Sequence, residues 1–217
     1  NILSTDVNDD RLVRAPFPGV SYDICNVEKI EYDVKRFDLV YSSNLLEHLR
    51  DPLVALLEMR KVLRDDGLMI HIIPNRFWKL LHLALFYPNL LVAIADVLVS
   101  GGKVGLQKSA TSKGNNLGRP IPSFLRRNLW PAVHGEYDDH LREFLFMGSK
   151  RWIRLFESAN LEVVGEVTGL PAHSPYRFGM ERIRKVCESF GLSSCNGYVL
   201  KKSDKSFDPS LHMAYWS

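Results

Sequence analysis

Three small polar residues, Ser42, Ser43 and Asn44, cut off the apolar run FDLVY, and an acid–imidazole pair, Glu47 and His48, follows almost at once. A histidine held near a bound ligand can take a proton from an acceptor hydroxyl. The same dipeptide also reads as a device that fixes the turn after a strand through hydrogen bonds to backbone, and that reading is favoured for both residues, more strongly for Glu47. Two other apolar runs stop at polar groups in the same way. ILSTDV reaches an acid at Asp6, and VSYDIC ends at Asp23 or Asn26. A carboxylate at a strand end can hold ribose hydroxyls, and a polar side chain one strand over can accept from an adenine amino group. Asp6 has a plainer role open to it as a turn acid ahead of Asn8-Asp9-Asp10. Pro74 and Asn75 close a fourth run, LMIHII, whose His71 reads as a satisfied sheet or core histidine.

A separate polar group lies in PAVHGEYDDH. His134, with Gly135 and Glu136, falls in a loop where packing does not account for it, and loops held on rigid scaffolds commonly carry reactive groups. His134 is the preferred general base or acceptor-binding residue, with Tyr137 and His140 as lesser companions.

These residues need a frame, and the patterning supplies one. ILSTDV, VSYDIC and FDLVYS read as strands, the last dense enough in apolar residues to be buried on both faces, as in parallel sheets. Asp51 is a good N-cap with Pro52 at the first helical position. Leu53, Leu56, Leu57 and Leu63 then recur with helical spacing. Gly67 is expected to cap that helix, and LMIHII to follow as a strand, which completes a strand–helix–strand unit. Further on, 149–159 reads as a helix, LEVVGEVTG as a strand, RIRKVCESF as a helix and GYVLKK as the last strand. Ligands of open α/β sheets sit beyond the carboxyl ends of the strands, where the polar residues named above accumulate.

Composition narrows the function. The chain has 217 residues, 46% hydrophobic and 24% charged, with a formal net charge of +3. Such a mild charge does not suit a nucleic-acid binder. Cys25, Cys187 and Cys195 have no metal-ligand spacing and cannot all pair, which points to a reducing compartment, expected to be the cytoplasm. One apolar run, LLHLALFYPNLLVAIADVLV, begins at Leu80 and ends at Val99 with nearly the length of a membrane span. His82, Pro88, Asn89 and Asp96 interrupt it, so it is read as two short helices joined at Tyr87-Pro88-Asn89. Their default role is a roof over the site, with a membrane-surface or dimer contact as the alternatives. Residues 101–118 are polar and glycine-rich and read as a loop.

The segment RFDLVYSSNLLEHLRDPLVALLEMRKVLRDDGLMIHIIPN resembles the core of class I S-adenosylmethionine-dependent methyltransferases, in particular the type 11-like group. Asp66-Gly67 stands where that group has Gly-Gly. A looser likeness runs from ILSTDV to GYVLKK. The resemblance implies an α/β, Rossmann-like, doubly wound and mainly parallel sheet of seven strands with an antiparallel last strand. It implies one domain over residues 1–217, with 76–148 inserted as a helical cap and loop over the active site. It also implies S-adenosylmethionine as cofactor and a small-molecule or glycan-like acceptor. Carried over by position, Asp6 matches the ribose-binding acid. Asn26 falls on the adenine-contacting acid, with Asp23 as the alternative. Ser42, Ser43 and Asn44 match the strand end beside the methionine part of the cofactor, and His48 lies next to it. The family's first strand and its G-x-G-x-G turn belong ahead of Ile2, between the ILSTDV and FDLVYS strands, and the sequence from Asn1 does not contain them. The natural protein is expected to carry them. Without them, the competing expectation is a non-catalytic methyltransferase-like interaction domain.

Overall fold

A computed structural model of the chain describes residues 1–8, 17–99, 131, 133, 139–167, 169–171 and 180–204. Its strands are β1 (Ile2–Asp6), β2 (Val20–Ile24), β3 (Phe37–Ser43), β4 (Leu63–Pro74), β5 (Leu161–Val167) and β6 (Cys195–Lys202). Its helices are α1 (Pro52–Val62), α2 (Arg76–Val99), α3 (His140–Phe146), α4 (Ser149–Ser158) and α5 (Met180–Ser189), and a 3-10 turn spans Leu46–His48. The strands and helices read from the pattern are therefore present in their expected order, and the fold is α/β and Rossmann-like.

The strands form two sheets. β1 and β2 pair in parallel, with Thr5 opposite Asp23 and Asp6 opposite Ile24. The second sheet has the order β3-β4-β6-β5. Within it β3 and β4 are parallel, and β6 runs antiparallel to both β4 and β5. The expected antiparallel last strand is thus found, whereas the described residues do not form a continuous seven-stranded sheet. Among the described residues β1 and β3 each pair on one side only, and the interruption falls where the resemblance puts a further strand.

The core lies on one face of the second sheet. Leu53, Leu56, Met59 and Val62 of α1 and Trp152, Leu155 and Phe156 of α4 pack with Leu63, Met69, Ile73, Leu161, Tyr198 and Leu200 of the strands. Strand alternation puts Leu39, Tyr41, Leu68 and Val164 on the opposite face, and there they are exposed. The expectation that β3 is buried on both faces is therefore corrected: no described helix covers its second face.

Two further corrections have local causes. Gly67 does not cap α1, which ends at Val62, but lies inside β4. A Cβ there would stand 2.8 Å from Leu63 Cδ1 and 3.0 Å from Asp38 O, so the glycine is needed for close approach of β3 and not for a turn. The register between β3 and β4 shifts at this point, between Phe37 and Leu39. Residues 76–99 form one helix, with Pro88 inside it, and not two. The carbonyl deprived of its partner by Pro88 belongs to Ala84, an exposed residue, so water can satisfy it.

Candidate functional site

The carboxyl ends of β1 and β2 lie side by side. Asp6 Oδ1 accepts from Asn8 N at 2.9 Å, which turns the chain away from the strand, and Cys25 N donates to Asp6 O at 3.1 Å. Asp23 is exposed; its Oδ2 accepts from the Tyr32 hydroxyl at 2.8 Å and its Oδ1 from Ile24 N at 2.9 Å. Partial burial, followed by the Asp23 hydrogen bond, pushes the Tyr32 phenol well above its ordinary value, so it stays a donor. Asn26 is exposed too, and its Oδ1 accepts from Glu28 N at 3.0 Å, an Asx-type turn.

The segment after β2 then reaches the segment after β3. Glu28 Oε1 accepts from Asp51 N at 3.2 Å, and Glu58 Oε2 of α1 accepts from Ile30 N at 3.0 Å. Ile30 itself is buried in the core of the second sheet. Two sheets that share no strand pairing among the described residues are thus tied together through the connections that leave their carboxyl ends.

At the end of β3 the three small polar residues separate. Ser42 is buried, with its Oγ 2.8 Å from His71 Nδ1, and the His71 ring stacks on Phe156. Ser43 is exposed, and its Oγ accepts from Asn44 Nδ2 at 3.3 Å. Asn44 has φ 50°, the left-handed region that asparagine tolerates better than most residues, and its N donates to Ile72 O at 2.9 Å. That turn swings the chain off the strand into the 3-10 turn. Only Ser43 and Asn44 therefore offer side chains at the strand end, while Ser42 serves the core. Asn75, at the end of β4, has its amide spent: Oδ1 caps α2 by accepting from Phe77 N and Trp78 N, and Nδ2 donates to Ser193 O and Asn196 Oδ1.

Glu47 departs from its expected role. The 3-10 turn is closed by backbone, His48 N to Leu45 O at 3.0 Å and Leu49 N to Leu46 O at 3.3 Å. The Glu47 side chain is 1% exposed, and neither carboxylate oxygen has a hydrogen-bond partner among the described residues. Burial pushes its carboxyl up to about 7. His48 is 38% exposed, with Nε2 3.8 Å from Glu47 Oε1. Nearby, Cys195 Sγ is 3.9 Å from Asn44 Oδ1, and its thiol is pushed up to about 12 by burial, with the Glu47 charge adding to the effect. The sequence carried a signal for this, since Glu47 sits between Leu46 and Leu49 in an apolar run. His71 was expected to be satisfied; its Nδ1 is, but its Nε2 has no hydrogen-bond partner among the described residues. Burial holds it down at about 4, so it is neutral.

A second buried polar group joins α2 to α3. Lys79 and Glu143, both fully buried, form an ion pair, and Lys79 Nζ lies 2.8 Å from His140 Nδ1. His140 Nδ1 is then the acceptor, which leaves Nε2–H to donate to Pro131 O at 3.1 Å. His82 is pushed down to about 4, by burial first and then by the Lys79 charge. His134 and Tyr137 lie outside the described residues, as does much of the expected cap at 76–148.

Residues 2–71 match the family described as methyltransferase domain, the part of the chain that runs from β1 into β4. An S-adenosylmethionine-dependent methyltransferase from Mesorhizobium loti superposes with a TM-score of 0.50 at 14% identity, over 92% of this chain and 79% of its own. One from Methanosarcina mazei gives 0.51 at 12% identity, over 94% of this chain and 82% of its own. The fold is that of the S-adenosylmethionine-dependent methyltransferases. No curated protein matches the sequence. Asp6, Asp23, Ser43 and Asn44 lie at or next to the carboxyl ends of their strands, and open α/β sheets in general take their ligands beyond such ends.

Proposed function

We propose that the chain binds S-adenosylmethionine across the carboxyl ends of β1, β2 and β3 and directs its methyl group to a small-molecule or glycan-like acceptor. The observation that carries this reading is the parallel pairing that sets Asp6 beside the end of β2, within a segment matching the methyltransferase domain. The groups present fit the nucleoside part of the ligand. Asp6 accepts from ribose hydroxyls, and Asp23 or Asn26 accepts from the adenine amino group. Ser43 and the backbone at Asn44 and Ser42 lie along the methionine part. The bound cofactor supplies an activated methyl group on a sulfonium.

The protein's own work is to hold the acceptor in line and keep water away. A hydroxyl acceptor also needs its proton removed. His48 is the half-exposed imidazole beside the strand end, with the buried Glu47 carboxyl against it, and His134 is the second candidate. Incubating the protein with methyl-labelled S-adenosylmethionine and a panel of hydroxylated and glycosylated acceptors tests the reading. Label transferred to one class supports it. Tight cofactor binding with no transfer to any class would favour the interaction-domain alternative. Once an acceptor is found, His134→Ala is expected to lower turnover more than cofactor affinity; equal losses in both, or none, would remove that residue from the reaction.

A further inference from the structure

One face of α2 has no role in the site, and its chemistry is uniform. Leu80, Ala84, Tyr87, Leu91, Ala95 and Leu98 recur at intervals of three and four, so they share one face of the helix. All six are exposed, Leu80 at 52%, Tyr87 at 48%, Leu91 at 67% and Leu98 at 70%. The stripe runs for about 27 Å at the helical rise. The opposite side of the first turns, with Trp78, Lys79, His82 and Leu85, is buried. An apolar stripe of this length on a protein surface marks a binding surface.

The sequence that follows indicates what the stripe meets. From 97 to 135 there is no Asp or Glu, while Lys103, Lys108, Lys113, Arg119, Arg126 and Arg127 all fall there. Those six bases exceed the whole chain's net charge of +3, so the remaining residues are net negative. Positive charge is therefore concentrated directly after the exposed apolar helix. Apolar contact followed by a run of bases is the pairing that holds a helix flat on an anionic bilayer. Among the described residues no helix is long and apolar enough to cross a membrane, so a lipid contact through α2 would run along the surface and not across it.

We infer that α2 docks the protein on an anionic lipid surface, its Leu80–Leu98 stripe against the acyl boundary, with the basic composition of the sequence after it as the ground for the preference for negative charge. The inference is independent of the methyl-transfer reading. The test is cosedimentation of the full chain with vesicles of phosphatidylcholine, plain or with about three parts in ten phosphatidylserine. Binding to the anionic vesicles is expected to exceed that to the neutral ones by roughly tenfold or more and to weaken as salt rises. Leu91→Glu with Leu98→Glu, both at exposed positions, is expected to cut it by a similar factor without lowering the melting temperature. Lys103→Glu, Lys108→Glu and Lys113→Glu together give a second variant, expected to remove the preference for anionic vesicles. Equal binding to both vesicle types, or binding that survives both variants, would overturn the inference. So would a dimer seen by light scattering that the leucine substitutions disperse while vesicle binding is absent, since the stripe would then join two copies of the chain.

Discussion

Glu47 is the residue whose environment most opposes its charge. Its carboxyl, held at about 7 against an ordinary 4.5, binds a proton in the folded chain that it has lost in the unfolded one. Between those two values the native state holds more protons, so stability falls as pH rises, by about 3 kcal/mol over the window. Glu47→Gln is expected to remove this slope. Urea midpoints measured from pH 4.5 to 8 should show the variant gaining on the parent up to about pH 7 and then running level. Parallel profiles would mean that the carboxyl is not buried as described. His71 acts in the opposite direction. Its value is depressed to about 4, so stability is lost as pH falls from 6.5, and the variant should keep that part of the profile. At this scale the sequence told the residue type but not the partner. Ser42 and Ser43 look alike in SSN, yet strand alternation sends one to His71 and leaves the other exposed.

At the scale of elements, capping and periodicity were reliable guides. Asp51 caps α1 as its sequence foretells, with Oδ1 accepting from Leu53 N and Val54 N at 3.2 Å each. What the sequence hid was contact between elements far apart in the chain. Gly67 looks like a helix cap until Leu63 and Asp38 are seen closing on it. Pro88 looks like a break until the exposure of Ala84 is known. The Lys79–Glu143 pair was invisible for the same reason, since its partners sit on α2 and α3. Removing one member of a buried pair leaves the other charge in a poor medium, at a cost of about 3–5 kcal/mol. Lys79→Met is therefore expected to lower stability by about that much in urea unfolding. A change within the error of such a measurement would show that α3 is not fastened to α2 through this pair.

Among the described residues, two sheets are joined through connections and not through strand pairing. β1 with β2 carries Asp6 and Asp23, and β3 with β4 carries Ser43 and Asn44. The Glu28–Asp51 and Ile30–Glu58 bonds bring the two sets of strand ends into one structure. The order of strands and helices was legible because each keeps its own period of hydrophobicity. The division of the sheet was anticipated only through the family likeness, since no local pattern in ILSTDV says which strand it lacks as a neighbour. The charge asymmetry was also in the sequence, but it gained meaning only once α2 proved to be continuous and exposed along one face.

The most direct test of the account is a calorimetric titration of S-adenosylhomocysteine, the demethylated cofactor, into the protein and into Asp6→Ala. Asp6 lies at a strand end, outside the core, so the variant should melt like the parent. Saturable binding by the parent, weakened roughly tenfold or more in the variant, is the predicted result, as expected when a charged hydrogen-bond acceptor is lost. No heat at millimolar ligand, or equal affinity in both proteins, would contradict the placement of the nucleoside at these strand ends.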